Sequence, residues 1–494
     1  MNTTNKSYAL TAALAATFVF LNASAQTPDS ASARLGALNF EQGYPTEETA
    51  RKLFDEMDYQ RAVQAFLWSF PAVSFESIRI GVKRDVSVDY NDLVIADNFL
   101  DAKGVWLTAN DTTIYGMVNV DLSQGPVVLE VPAGPGVGLI DDFWQRAITD
   151  FGLPGPDKGK GGKYLLLPPG YTGEVPKEGY YVLRGTMNNY NVMDRGLVQN
   201  NDNAAAVNLI KKLRVYPWSQ RDNPKPNKVV SMSAKTLNTI PPEGIEYWAR
   251  LSDFINNNPV HERDRFFLAM LKPLGIEKGK EFKPEARQRA ILEDAAKVGH
   301  QMARTLLFHA EQRIAGANAF PGTNWVWVVL VNANQESANY SQLDERLHYF
   351  YGAIYMSPAI GRKTAGPGAT YIQAFADKEG NHFDGGKTYR LRLPAKVPVS
   401  SFWSLTLYDT ATRSMIANTS KDSARSGYDK FKTNADGSID LYIGPKVPAG
   451  QESNWIQTLP GKGFYPFFRF YGPTEGVFDG TWKMPDIEFI GDSK

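Results

Sequence analysis

The polar residues Asn110, Asp111, Thr112 and Tyr115 form the cluster of this sequence that is best suited to chemistry. A carboxylate such as Asp111 can act as a general acid or base, and a phenol such as Tyr115 can assist in proton transfer. The cluster precedes a strand-like segment, so it also fits an Asx turn at the start of a strand. Two interpretations stay open: a pocket rim in which Asp111 and Tyr115 are catalytic and Asn110 binds the ligand, or a turn with a structural role.

Two arginines, Arg184 and Arg195, flank a stretch that is rich in asparagine. A guanidinium group binds a carboxylate through two parallel hydrogen bonds, so this pair is a candidate clamp for an acidic ligand. The same arginines could instead pair with Asp142 and Asp194. Both arginines are therefore candidate binding residues, with a structural alternative.

The last third of the chain contains a second group of candidate binding residues. Residues alternate along Trp403–Tyr408, so Trp403 shares the core-facing side of Leu405, whereas Tyr408 lies on the opposite face and could meet a ligand. Further along, a polar and aromatic trio falls at predicted strand ends, where a ligand site and a structural role both fit the pattern. The candidates in this part are Tyr408, Asn454, Trp455 and Arg469.

The motifs of several familiar enzyme and metal-site classes are missing. The 5 histidines are scattered, and neither the H-E-x-x-H metal motif nor the serine-hydrolase patterns G-x-S-x-G and S-x-x-K occur. The glycine- and lysine-rich run at 155–163 lacks the spacing of a phosphate-binding loop, which favours a flexible turn. We expect no metal and no cofactor, although a triad assembled from distant residues stays open.

The composition excludes some partners and some chemistries. Lys+Arg and Asp+Glu both number 53, and a formal net charge of zero argues against a broad nucleic-acid-binding surface. Because the chain has no cysteine, disulfides, thiolate metal sites and cysteine nucleophiles are excluded.

The N-terminus has the pattern of a secretory signal peptide at residues 1–25. Lys6 supplies a positive charge, an apolar stretch runs from Ala9 to Leu21, and a small-residue cleavage site ends at Ala25. No later segment has the roughly eighteen uninterrupted apolar residues of a membrane span. We expect cleavage near Ala25 and a soluble periplasmic or secreted protein without stable membrane insertion.

The spacing of apolar residues predicts a multidomain α+β fold. A helix begins near Thr46 and ends at Pro71, strands follow to about Pro217, and helical spacing returns between Pro242 and Gln312. The last third is again strand-like, with turn residues between short alternating segments. The predicted organisation is a β-rich N-terminal domain at 44–240, a helical segment at 241–320 and a jelly-roll-like β-sandwich domain at 321–490.

Several stretches together resemble a known pair of bacterial families. They include Tyr44–Glu47, Leu107–Thr112, Gly125–Val128 and Pro168–Tyr171, and downstream Asp384–Gly385, Phe402–Tyr408, Asn454–Trp455 and Arg469–Pro473. The first group resembles domain-of-unknown-function family 1254, and the second resembles its usual C-terminal partner, family 1214. The resemblance implies a multidomain α and β fold with a jelly-roll-like C-terminal half, and it supplies no reaction and no catalytic residues. One difference is that Asn454-Trp455 is followed by Ile456-Gln457 rather than by Leu-Pro.

Two classes of function fit these observations. The first is a periplasmic enzyme, a hydrolase or lyase that acts on sugars or organic acids through Asp111 with tyrosine or arginine support. The second is a binding or interaction protein of the cell envelope that converts nothing. In both cases the expected ligand is a small molecule or a glycan, and a homo-oligomer is compatible with the sequence. Fold alone does not decide between them.

Overall fold

The computed structural model describes residues 35–198, 202–419 and 423–492. The predicted signal peptide at 1–25 and its cleavage site lie outside these ranges and stay predictions. The described chain divides into two compact units, one ending at Met57 and the other beginning at Asp58. Within the described ranges, no helix combines the length and the hydrophobicity that a bilayer span requires.

Six α-helices lie in the described part of the chain, and the first is much longer than the sequence predicted. They are α1 (Glu47–Val86), α2 (Asn203–Ile210), α3 (Ile245–Asn257), α4 (Arg265–Leu271), α5 (Ala286–Phe308) and α6 (Leu343–Gly352). The prediction that the first helix ends at Pro71 is wrong, because Pro71 lies inside α1. Ala72, Val73 and Phe75 beyond it are fully buried, and their burial offsets the hydrogen bond that a proline cannot make.

Besides six short 3₁₀ helices, the described chain contains 23 β-strands. In chain order they are β1 (Phe40–Glu41), β2 (Tyr44–Pro45), β3 (Leu93–Ile95), β4 (Gly104–Val105), β5 (Ile114–Asp121), β6 (Val127–Val131), β7 (Gly136–Asp142), β8 (Ala147–Gly152), β9 (Gly162–Leu167), β10 (Tyr181–Arg184), β11 (Asn189–Gly196), β12 (Arg214–Pro217), β13 (Val229–Ser231), β14 (Leu237–Asn238), β15 (Trp325–Trp327), β16 (Ala369–Ala374), β17 (Lys387–Leu393), β18 (Trp403–Asp409), β19 (Ala424–Ser426), β20 (Ile439–Gly444), β21 (Trp455–Gln457), β22 (Phe464–Tyr471) and β23 (Glu488–Asp492).

A six-stranded sheet with the order β13-β3-β5-β11-β7-β8 is the main sheet of the N-terminal half. Its central strands β5 and β11 are antiparallel and align Tyr115 with Arg195 and Met117 with Met193. Helix α2 covers the face of this sheet that lies opposite Tyr115 and Arg195. On that face an added Cβ at Gly116 would collide with Ile210, and one at Gly196 would collide with Ala206. A separate four-stranded sheet has the order β10-β9-β6-β12.

Two further sheets face each other in the C-terminal half. They have the orders β15-β16-β22-β18-β19 and β21-β20-β17-β23. Alternate residues of both sheets form one buried cluster, which includes Leu391 and Leu393 of β17, Leu405 and Leu407 of β18, and Phe468 of β22. This packing agrees with the predicted sandwich, and the α+β class of the whole chain is confirmed. The jelly-roll connectivity and the domain limits at 240 and 320 stay predictions.

Strand β22 has two different buried faces. Phe464, Phe468 and Phe470 point into the sandwich core. Tyr465 and Phe467 belong instead to a larger apolar cluster that extends over α1, α3, α5 and the six-stranded sheet. The outer face of the sandwich is therefore one wall of the main core of the protein.

Candidate functional site

A cavity of about 100 Å³ lies where strands β5, β11 and β22 come together with the end of α6 and the chain that follows it. Its walls are mostly apolar and aromatic, which is typical of a site for a small molecule. Its lining residues are Leu100, Trp106, Leu107, Thr108, Ala109, Asn110, Tyr115, Gly116, Met117, Met193, Arg195, Met232, Tyr349, Ala353, Ile354, Tyr355, Ile360, Tyr371, Phe467 and Arg469.

The six-stranded sheet supplies one wall of this cavity through side chains that point to the same face. Tyr115 of β5 lies directly opposite Arg195 of β11, and Met117 lies opposite Met193. Residues two apart on a strand share a face, so the two pairs form consecutive rows, one polar and one apolar. This wall thus has a charged part beside a soft, thioether-lined part.

Arg469 of β22 enters the cavity from the C-terminal sandwich. Its Nη1 donates to Thr406 Oγ1 at 3.0 Å, and its Nη2 donates to the carbonyl oxygen of Thr108 at 3.0 Å and to Tyr408 Oη at 2.5 Å. Its guanidinium group also stacks over the ring of Phe467 at 4.4 Å. Several neutral groups therefore hold this buried cation in one orientation.

Arg195 is the second cation of the cavity. It is half-buried, and its Nε has no hydrogen-bond partner among the described residues. Burial alone would lower the pKa of Arg195, but the nearby phenols of Tyr371, Tyr115 and Tyr471 outweigh this effect and raise it. The guanidinium group is therefore charged at neutral pH.

The two arginines share an unusual electrostatic setting. Burial likewise disfavours the charge of Arg469, and Tyr408 and Tyr471 outweigh it, so the pKa of Arg469 is raised as well. Neither guanidinium group forms an ion pair with an aspartate or glutamate in the described parts of the chain. Two cations thus face a mostly apolar cavity, and the groups that raise their pKa most are tyrosines.

The segment before β5 is anchored to the C-terminal sandwich. Asn110 Nδ2 donates to Tyr471 Oη at 2.6 Å, and the Thr108 amide donates to the carbonyl oxygen of Arg413 at 2.8 Å. Thr108 has a positive φ of 41°, a conformation that costs energy in a residue other than glycine. Asn110 Oδ1 also accepts the amide of Thr112 at 2.9 Å, so Asn110 forms an Asx turn and lines the cavity at the same time.

A second strained residue, Tyr355, lies on the opposite wall. Its φ is 68°, and its amide donates to Gln145 Oε1 at 2.9 Å. The next amide, that of Met356, donates to Asp141 Oδ2 at 2.8 Å. Burial raises the pKa of Asp141 well above its usual value. Strained backbone that is held by several fixed contacts is a common property of functional sites.

The cavity lining carries two guanidinium groups and four phenols, and it contains few other reactive groups. Burial raises the pKa of Tyr349 and Tyr355 well above the usual value, so both remain neutral phenols. In the described lining there is no Asp, Glu, Ser, His or Lys. Nor do any three acidic or histidine side chains of the described chain come together as a metal site.

Four of the residues that the sequence singled out meet at this cavity. Asn110, Tyr115, Arg195 and Arg469 all line it, although they belong to three separate parts of the chain. Asp111 does not line it, but its charge is close enough to contribute to the pKa of Tyr408, which burial raises to about 12. Tyr408 lies behind Arg469 and donates a short hydrogen bond to the carbonyl oxygen of Ala109.

The other three candidates lie elsewhere. Arg184 is exposed at the end of β10, in a different sheet from Arg195. Asn454 is buried and bonds the backbone of Lys432 and Asp440, so it holds a loop together. Trp455 donates from Nε1 to the carbonyl oxygen of Gly444 at 2.9 Å. The predicted trio of Asn454, Trp455 and Arg469 is therefore not brought together.

Sequence reasoning missed several lining residues. Tyr349 and Tyr371 come from α6 and β16, and Met117, Met193 and Met232 come from three different strands or strand ends. Met117 and Met193 carried a weak signal, because each lies two positions from a candidate residue, Tyr115 or Arg195, in a predicted strand. The tyrosines gave no local signal at all.

Comparison with solved structures gives two similar proteins. The protein VPA0106 from Vibrio parahaemolyticus is similar in structure, with a TM-score of 0.55 and 19% identity over 88% of this chain and 100% of that chain. An uncharacterised protein from Burkholderia cenocepacia gives a TM-score of 0.40 and 11% identity over 90% of this chain and 97% of that chain. The first likeness shows a shared fold, and no curated protein matches.

Two family models match separate parts of the chain. Each is described as a protein of unknown function: DUF1254 matches residues 90–217, and DUF1214 matches residues 368–475. Arg195 lies in the first region and Arg469 in the second, so the cavity is built from both. The resemblance that the sequence motifs indicated is confirmed: this chain carries a DUF1254 region followed by a DUF1214 region.

Proposed function

We propose that the cavity binds a small organic acid whose carboxylate is held by Arg195 and Arg469. The observation that carries this proposal is the presence of two guanidinium groups at one apolar cavity, neither in an ion pair with a described carboxylate. A charge removed from water costs several kcal/mol unless an opposite charge or good hydrogen bonds compensate for it. A ligand carboxylate supplies that opposite charge, and charge-assisted bonds to a planar guanidinium group are strong and directional.

The same features favour an organic acid over a sugar. A sugar presents hydroxyl groups in many directions, and each must find a partner when buried. Half of this lining is Met, Leu, Ile, Phe and Ala, whose side chains offer no such partners. In the sheet, the row of Tyr115 and Arg195 lies next to the row of Met117 and Met193. An acid with one charged end and an apolar body would place its charge at the first row and its body at the second.

Of the two predicted reaction classes, a lyase fits this cavity better than a hydrolase. The described lining lacks the carboxylates and the serine–histidine pair on which hydrolysis commonly depends. In an elimination beside a carboxylate, a C–H bond breaks, its proton moves to a base, and a leaving group departs with its bonding electrons. Tyr115, directly opposite Arg195 in the sheet, would act as a phenolate that takes up the C–H proton and then passes it to the leaving group, so that it ends as it began. Arg195 would stabilise the developing negative charge.

In this proposal Asp111 supports the site rather than acting in it, because it follows Asn110 without lining the cavity. The protein would work in the periplasm or outside the cell after cleavage near Ala25, as the signal-peptide pattern predicts. N-terminal sequencing of the protein from native cells tests this location. A mature chain that still begins at Met1 would contradict it.

The experiment that tests binding is calorimetry with short carboxylic acids, such as benzoate and hexanoate, and with their uncharged amides. We expect the acids to bind and the amides not to. Arg195→Gln and Arg469→Gln should each weaken the acids at least tenfold, since a hydrogen bond to a charged group contributes about 1.5–3 kcal/mol. Arg392→Gln is the matched control, because Arg392 is an exposed arginine paired with Asp436 far from this lining. Equal affinity for acids and amides would refute the proposal.

The non-catalytic envelope protein remains the second candidate, and turnover separates it from the enzyme. NMR of each bound acid over time would reveal conversion. For the enzyme, conversion should occur and Tyr115→Phe should abolish it while leaving the dissociation constant nearly unchanged. Binding without conversion by any acid of the panel would favour the second candidate.

A further inference from the structure

A second cavity of about 130 Å³ adjoins the first and reaches the surface. We call them the outer and the inner cavity. They share three lining residues, Leu100, Trp106 and Met232, which form a thin apolar partition between them. The remaining outer lining includes the exposed residues Asn98 and Lys235, whereas the inner lining is mostly buried. The outer cavity thus adjoins the cavity of the two arginines and has the more exposed lining.

Trp106 has an unsatisfied hydrogen-bond donor at this partition. The side chain is 5% exposed, and its Nε1 has no hydrogen-bond partner among the described residues. A Cβ added to Gly104 would lie 2.8 Å from that Nε1, and Gly104 lines only the outer cavity. The N–H edge of the indole therefore lies on the outer side. A buried donor without a partner costs about 1–3 kcal/mol, a cost that a ligand acceptor would remove.

The other polar groups of the outer cavity are mostly donors as well. Ser233 Oγ accepts the amides of Asp97 at 2.8 Å and Asn98 at 3.2 Å, so its own hydroxyl proton is available to a ligand. Lys235 forms no ion pair within the described chain. The one acidic residue of the described lining, Asp101, already accepts the amide of Lys103 at 2.9 Å. The outer cavity therefore presents the donors of Trp106 and Ser233 beside one positive and one negative side chain, Lys235 and Asp101.

We propose that the two cavities form one site for an elongated organic acid with two oxygen-rich ends, of which a dicarboxylate is the simplest. One carboxylate binds Arg195 and Arg469, the chain passes Leu100 and Met232, and the second carboxylate accepts from Trp106. This inference rests on the proposed function and adds the second end of the ligand. Met232 and Leu100 are flexible side chains, so a change of their rotamers opens the partition.

The test compares dicarboxylates of about five to eight carbons with monocarboxylates of the same lengths, by calorimetry on the full chain. The best dicarboxylate should bind about tenfold more tightly than its monocarboxylate, as one added charge-assisted hydrogen bond predicts. Trp106→Phe keeps an aromatic ring and removes the N–H, so it should abolish this preference and leave the monocarboxylate unchanged. Trp482→Phe is the matched control, because it removes another buried, unpartnered indole N–H that lines neither cavity.

The possible outcomes separate the second subsite from the proposed function. If monocarboxylates bind through the arginines but dicarboxylates bind no better, the second subsite is refuted and the proposed function stands. The second subsite is also refuted if Trp106→Phe weakens both acids equally. If no acid binds, both proposals fail. Lys235→Gln, a change at an exposed position, should reduce the dicarboxylate preference severalfold and provides an independent test if Trp106→Phe does not fold.

Discussion

The two faces of β22 have different surroundings, although their residues alternate along one strand. Phe464, Phe468 and Phe470 fill the sandwich core together with other apolar and aromatic side chains. Phe467 and Arg469 line the cavity, where a cation and a ring lie against open space. Successive side chains of a strand point to opposite faces. The apolar face of β22 can therefore stabilise the strand, and the strand in turn positions Arg469 on the other face. Along β22, residues that stabilise the core and residues of the candidate site are therefore direct neighbours in sequence.

Strand β11 repeats this arrangement in the other half of the protein. Met193 and Arg195 line the cavity, whereas Asp194 points to the side covered by α2, where Leu209 and Asp194 both lie close to Gly136. Each family region thus contributes one arginine from a central strand that is buried on both sides. Neither region contains both arginines, so the cavity takes its lining from both.

The largest expected effect is on the apolar face of β22. Phe468→Ala removes a fully buried ring from the sandwich core and should lower the free energy of unfolding by about 3–5 kcal/mol. Urea denaturation measures this loss. If the two faces act separately, the folded variant should bind carboxylates as the parent does. A lost affinity in protein that is still folded would show that the faces are coupled.

A second prediction concerns Asp194, the buried acid behind Arg195. Burial raises its pKa from the ordinary 3.8 to about 7. The folded protein therefore keeps a proton that the unfolded chain has lost, so this stabilisation is complete below about pH 4 and is lost as the pH rises towards 7. A shift of this size corresponds to a loss on the order of 4 kcal/mol.

Asp194→Asn tests this sign, because an amide mimics the neutral carboxyl at every pH. Urea denaturation at several pH values should show that the variant gains stability relative to the parent as the pH rises from about 4 to about 7. Other buried acids titrate in both proteins and cancel in the difference. A constant difference across this range would contradict the raised pKa of Asp194.

The alternation that makes the two faces was largely predictable, and the helical packing was less so. The period-two pattern of Trp403, Leu405 and Leu407 correctly separated the core side of β18 from Tyr408. In α5, helical spacing places Met302 on the same stripe as Leu306, which is buried, yet Met302 is 46% exposed. The buried side instead contains Gly299, where an added Cβ would lie 2.5 Å from the ring of Phe66. Hydrophobicity identifies large residues, whereas close packing here selects small ones.

The candidate site was predictable only in part, for a similar reason. Asn110 and Tyr115 were found because they are neighbours in sequence, and Arg195 because it stands beside asparagines. Their meeting with Arg469 depends on how distant segments of the chain pack together, and no local pattern specifies that. A cavity forms where the side chains of packed elements leave space between them. Its lining residues therefore show no regular spacing along the sequence.

A smaller effect is expected when the charge of a cavity-lining arginine is kept and only the shape of its side chain is changed. Arg469→Lys keeps the charge, but one ammonium group cannot reach Thr406, the Thr108 carbonyl and Tyr408 together. Carboxylate affinity should fall about tenfold, corresponding to about 1.4 kcal/mol, by calorimetry. Arg195→Lys is the parallel change on β11, and a similar loss there would indicate that both arginines bind one ligand. An unchanged affinity in both would mean that charge alone suffices.

The smallest effect is expected at Ser404, which lies directly opposite Arg469 in the pairing of β18 with β22. Its hydroxyl is buried and has no hydrogen-bond partner among the described residues, whereas Thr406 on the same face accepts from Arg469. Removing a buried hydroxyl that makes no bond is nearly neutral or stabilising, so Ser404→Ala should change the free energy of unfolding by about 0–1 kcal/mol in the stabilising direction. Thr406→Val is the matched change that removes a used acceptor, and it should destabilise by about 1–3 kcal/mol. If Ser404→Ala destabilises as much as Thr406→Val, the orientation of Arg469 depends on both hydroxyls. The side of β18 that carries Ser404 and Thr406 would then be a wider polar network than its hydrogen bonds indicate.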